Sequence, residues 1–219
     1  MTSINVSTPW GIRSAAAGAV VAAALLLAGC AGGAPADPGT ASSTPTGSAT
    51  TSPPSTPTPT PTAVYKPADA SGPAQNVPVP VLPEVAKTET KEGLEAFARY
   101  WFEQLNYAYQ TGDMTGFQGM TSPNCEYCSK ITTSLTTNYS GERWLAGGEI
   151  TLPVATTSFE RAADGNYQVI LQVQQNPISY YQAGGSEFRA ASGASNTGNV
   201  LLATFEDSAW RVNGLHPIR

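Results

Sequence analysis

Histidine is almost missing from this 219-residue chain, and cysteine is scarce: His216 stands alone, and the thiols are Cys30, Cys125 and Cys128. A zinc site needs four ligands of the right type. With one imidazole and no second paired-cysteine motif, the sequence calls for no metal and no cofactor. Charge is thin as well, at 12% of residues, and 11 Lys/Arg against 16 Asp/Glu leave a net −5. No basic stripe runs through the chain, which argues against nucleic acid as a partner. No phosphate-cradling loop is present either: Gly184-Gly185 and Gly193 have no Lys-Ser/Thr after them. Only two of the 19 aromatics, Trp10 and Tyr65, precede residue 84. Core-building material is therefore confined to the last 136 residues, enough for one ordinary domain.

The first thirty residues have their own character. Arg13 is the only charged side chain before an apolar run from Ala15 to Ala28. Fourteen residues are too few for a permanent membrane helix, which takes roughly 20, but they suit the apolar region of a secretory signal. Leu27-Ala28-Gly29-Cys30 follows directly. It resembles the bacterial lipobox, a Leu and two small residues before a cysteine. That resemblance implies a signal peptide over residues 1–29, cleavage before Cys30, and a thioether from Cys30 to diacylglycerol, with palmitate-type chains. Acyl chains contribute about 0.8 kcal/mol per buried methylene. The expected location is the extracytoplasmic face of the cell membrane, held there by lipid.

Residues 30–83 read as the lipidated cysteine followed by a disordered tether. From 31 to 64, only Asp37 and Val64 depart from Ala, Gly, Pro, Ser and Thr. Such a segment buries too little to offset its ordering entropy. PPSTPTPTPT at 53–62 favours polyproline II, and a stalk lifting a domain off the membrane is the expected role. Val77 to Pro83 is more apolar; it is either an extended segment packed on the domain edge or more linker.

Residues 84–219 form the expected globular domain. Leu94, Phe97, Ala98, Trp101, Leu105 and Ala108 make one apolar stripe at helical period. The helix is expected over 89–110, capped by Thr88 or Thr90 and stopped at Gly112. Tyr100, Phe102, Tyr107 and Tyr109 lie off the stripe, so the helix is covered by more than one layer or lines a cavity. Asp113 opens a short second helix, and Cys128, Ile131 and Leu135 mark a third ending near Asn138. After Gly141 the period changes to two. Strands are expected at 149–160, with Pro153 signalling an edge or bulge, at 167–174, at 200–205 and at 210–215. Asp164-Gly165 is a hairpin signal. The segment 183–199 reads as a mobile loop.

A long aromatic first helix, a short helix after Thr111-Gly112-Asp113 and a late strand with Trp210-Arg211-Val212 resemble the nuclear-transport-factor-2-like, cystatin-like cone. The segment GDMTGFQGMTSPNCEYC is similar to an uncharacterised family of actinobacterial lipoproteins. The resemblance implies an α+β domain: two to three N-terminal helices packed on one curved antiparallel sheet of about four strands. The superfamily holds isomerases, dehydratases and many non-catalytic members, so the fold alone does not choose a function.

Cys125 and Cys128 are the main chemical constellation. In an exported chain with Cys30 used by lipid, they are an even pair, and three residues of helix bring their Cα atoms within disulfide range. A structural disulfide is the expected state; a redox-active pair, a zinc ligand pair and free thiols are its rivals. Ligand-binding side chains are expected on the first helix at Tyr100, Trp101, Glu103 and Tyr107. Catalysis is assigned to no residue: Glu103 and Asp113 are the available acids, and His216 reads as a solvated C-terminal residue. Three functions compete. One is a non-enzymatic envelope lipoprotein binding a partner protein, a wall component or a small apolar ligand. The others are a small-pocket isomerase- or dehydratase-like enzyme and a structural spacer. An open cavity with a buried carboxyl would favour the enzyme; a filled core with an exposed aromatic patch would favour partner binding.

Overall fold

The computed structural model describes residues 63–218. The expected signal peptide over residues 1–29, Cys30 and the Thr-Pro stretch lie outside the described residues. A 3-10 turn, Glu84–Lys87, leads into helix α1, Lys91–Thr111. Thr90 caps it, its hydroxyl accepting from the Gly93 N–H at 3.0 Å. Gly112 ends it in the left-handed region at φ 78°, its N–H donating to the Ala108 carbonyl. All six residues of the expected stripe are buried. Helix α2, Thr115–Gly119, buries Phe117 against Trp101, ring centroids 4.8 Å apart. Helix α3 is Glu126–Asn138.

Seven strands follow: β1 Arg143–Gly147, β2 Ile150–Thr156, β3 Tyr167–Gln175, β4 Ile178–Gln182, β5 Glu187–Ser192, β6 Ser195–Glu206 and β7 Ala209–Pro217. They form two antiparallel sheets, one ordered β1-β4-β5 and one ordered β2-β3-β6-β7. This corrects the expected architecture. The helices pack against two sheets, not against one sheet of about four strands, and no sheet is curved or closed into a cone. The 183–199 segment is no loop: it carries β5 and the start of β6. Apart from Phe188, its residues are small or polar, and most are exposed, so they show no period-two apolar pattern. Backbone ladders to β4 and β3 hold them.

Several local readings do match. Pro153 sits on edge strand β2 where the register slips between Thr151 and Val154, so its missing N–H costs no ladder bond. On β3 the burial alternates, with Tyr167, Val169 and Leu171 inward and Gln168 and Ile170 outward. The β6–β7 turn places Asp207 and Ser208 at φ 51° and 61°, the mirror-image geometry that suits strand twist. The β2–β3 connection does not match: it is longer than the two-residue turn that Asp164-Gly165 signals, with only Gly165 of that pair at positive φ and its N–H donating to the Ala162 carbonyl.

Residues 63–83, placed by composition in the tether, lie against the domain. Lys66 pairs with Gln75 in an isolated antiparallel bridge, and Leu82 packs on the core. The Trp144 indole N–H donates to the Asp69 carbonyl at 2.8 Å, and the Tyr65 hydroxyl donates to Gln110 Oε1 at 2.7 Å. We call this segment the arm.

Candidate functional site

Helix α1 is tied to the edge of the second sheet by polar side chains on its flank. Asn106 donates from Nδ2 to the Ile150 carbonyl and accepts at Oδ1 from the Ile150 N–H, both at 2.8 Å. Its amide thus replaces a neighbouring strand at the start of β2. Arg99 donates to the Leu152 carbonyl at 2.8 Å. These bonds set the distance between α1 and the β1–β2 turn. That turn needs glycine: Gly147 and Gly148 have φ 78° and 75°, and a Cβ on Gly147 would collide with the Pro177 carbonyl.

Between α1, this turn and the arm lies an open cleft of about 630 Å³. One wall is Glu103, Asn106, Tyr107 and Gln110 of α1, with Tyr109 and Leu145 at its back. The arm supplies the facing wall through Tyr65 and the Val77-Pro78-Val79-Pro80 run. Glu149 and Asn176 complete the rim. Burial pushes the Tyr109 phenol above its ordinary value, partly countered by Gln175. The cleft therefore offers phenol rings, prolines and valines, with the amides of Asn106 and Gln110 committed within the fold and the exposed Asn176 at the rim. Glu103 and Glu149 are its two carboxylates, and both are exposed to solvent.

The four side chains expected to bind ligand divide evenly. Glu103 and Tyr107 line the cleft. Trp101 does not: it is buried in the core, its N–H donating to Thr121 Oγ1 at 2.9 Å. Tyr100 does not either; its hydroxyl accepts from Gln104 Nε2 at 2.7 Å, and the same amide reaches the Pro80 carbonyl. Tyr65, Asn106, Gln110, the glycine pair and the arm before Val77 were not singled out from the sequence. Val77–Pro83 was, as either an edge-packed segment or more linker, and Tyr109 was, as an aromatic off the main stripe.

The other candidates sit elsewhere. Asp113 is exposed, and the Thr115 hydroxyl and N–H hold its carboxyl below the ordinary carboxylate range. It works as a turn cap at the start of α2, Oδ1 accepting from the Thr115 N–H at 2.9 Å. His216 is exposed on edge strand β7, opposite Val200. Cys125 and Cys128 are joined in a disulfide with Cα atoms 5.2 Å apart, both buried. Cys125 is the N-cap of α3, its sulfur accepting from the Cys128 N–H at 3.3 Å. Among the described residues, no group of three or more His, Cys, Asp or Glu gathers to hold a metal, and no buried side-chain polar atom lacks a partner.

No curated protein matches the chain. Solved structures resemble it at low identity. One is the intermembrane space region of the chloroplast protein ARC6: 11% identity, TM-score 0.45, covering 59% of this chain and 96% of that one. A domain of unknown function with a cystatin-like fold from Nostoc punctiforme shows 17% identity and TM-score 0.38 over 59% of this chain and 79% of that one. An uncharacterised cystatin-like protein from Caulobacter vibrioides shows 14% and 0.36 over 58% and 91%. A family model matches residues 63–216, from the arm to the last strand, and the chain belongs to that family, the family of unknown function DUF6318.

Proposed function

We propose that this chain is a lipid-anchored envelope protein whose single folded domain binds an apolar ligand, or an apolar segment of an envelope partner, without catalysing a reaction. The reading of the anchor rests on Leu27-Ala28-Gly29-Cys30 and the apolar run before it. The reading of the domain rests on one observation: the α1–arm cleft presents Tyr107, Tyr109, Val77 and Pro78, while its carboxylates face water. General acid–base chemistry needs a proton-transferring group held against the reacting atom with its proton affinity tuned by burial. The exposed Glu103 and Glu149 supply no such group, whereas apolar side chains in a concave wall supply affinity.

Benzyl alcohol, followed by ligand-observed NMR, tests the domain's part. The wild-type chain is expected to bind it, and Asn176→Trp, which fills the cleft from its rim, is expected to abolish binding. Undiminished binding to the filled variant would refute the reading. For the anchor, labelled palmitate is expected on the wild-type protein and absent from Cys30→Ala.

A further inference from the structure

The charge in the cleft is all of one sign. Glu103 enters from α1 and Glu149 from the β1–β2 turn. Among the described residues that line it, there is no Lys, Arg or His. Lys66, the cation of the arm, is turned to Ser71 instead, Nζ to Oγ 3.3 Å. The surrounding field has the same sign, since the chain carries a net −5.

Uncommitted donors are also few. Asn106 spends Nδ2 and Oδ1 on Ile150. Gln110 directs Nε2 at the Asn106 carbonyl, and its Oε1 already accepts from Tyr65. An anion in the cleft would meet two like charges, the engaged amides of Asn106 and Gln110, and one exposed amide, Asn176, at the rim. A cation would meet two carboxylates and the rings of Tyr65, Tyr107 and Tyr109, whose π-faces attract positive charge.

We infer that the ligand of this cleft is a small apolar cation, an ammonium group carrying an aromatic or aliphatic body. The body lies against the Val77–Pro80 wall and the tyrosine rings, and the ammonium faces Glu103 and Glu149 at the mouth. This rests on the cleft being a binding site, as proposed above, and adds the sign of what it takes.

Three probes of one shape separate the two ideas: benzyltrimethylammonium, benzyl alcohol and phenylmethanesulfonate, titrated by ligand-observed NMR against the full-length chain. The cation is expected to bind about tenfold more tightly than the sulfonate, with the alcohol between them. In the Glu103→Gln/Glu149→Gln double variant the spread is expected to fall below about twofold. Both positions are exposed, so the variant folds without repacking. Equal binding of all three probes to wild type would overturn the inference and leave the cleft reading standing. So would a cation preference that survives the double substitution. No binding of any probe would overturn both.

Discussion

Asn106 carries more of the structure than its half-buried position on α1 suggests. Its amide meets both backbone groups of Ile150, so truncation leaves a donor and an acceptor facing a gap. Asn106→Ala is expected to cost about 2–3 kcal/mol of stability, the penalty for two stranded polar groups. Chemical denaturation measures it; a loss below about 0.5 kcal/mol would show that water replaces the amide freely. No sequence pattern announces such a residue, because an asparagine on a helix flank looks the same whether it faces solvent or a strand end. Trp101 shows the opposite ambiguity. The helical stripe placed it in the core, and its aromatic ring also nominated it for a ligand; burial decides for the core. Glu103 and Tyr107 fall on a face that the stripe leaves free, and that face lines the cleft.

At the scale of elements, α1 was readable to within two residues at its start and one at its end, because cap, stripe and terminal glycine agree. Strands β1, β4 and β5 were not, since Arg143–Gly147 is short and β5 is nearly all exposed. The arm was hidden by its composition. Its prolines and alanines read as tether, yet hydrogen bonds to the distant Trp144, Gln104 and Gln110 fix it. Trp144→Phe removes the indole donor while keeping most of the ring. It is expected to cost about 1 kcal/mol and to speed proteolysis within residues 63–80; an unchanged cleavage rate would mean the arm is held without this bond.

Helix α3 is pinned at both ends. At its start, reducing the Cys125–Cys128 disulfide, or replacing both residues with Ala, is expected to cost about 2 kcal/mol for so small a loop. Equal unfolding midpoints with and without reductant would contradict that. Past its end, Tyr139 donates its hydroxyl to the Tyr109 carbonyl at 2.6 Å, and burial pushes the phenol well above its ordinary value. The unfolded chain therefore loses this proton first. Stability is full below pH of about 10, declines above it, and this contribution is gone once the folded phenol ionises. Tyr139→Phe is expected to flatten the alkaline limb of the stability curve; a limb of unchanged slope would assign it to another group.

For the whole molecule, composition separates an Ala/Thr/Pro/Ser-rich stretch from one that holds nearly all the aromatics. The family match begins at residue 63, and the arm's hydrogen bonds to Trp144, Gln104 and Gln110 join it to the fold. Local patterns could not place seven strands in two sheets, because pairing across distant segments is carried by backbone ladders. The cleft exists only at this scale, where the arm, α1 and the β1–β2 turn meet. Its role can be read most directly in the living cell. A photo-crosslinking phenylalanine analogue placed at Tyr107, inside the cleft, is compared with the same group at Ile170, on the outer face of β3. A discrete adduct at 107 and none at 170 is the predicted outcome; no adduct at either position, or equal yields at both, would contradict the account.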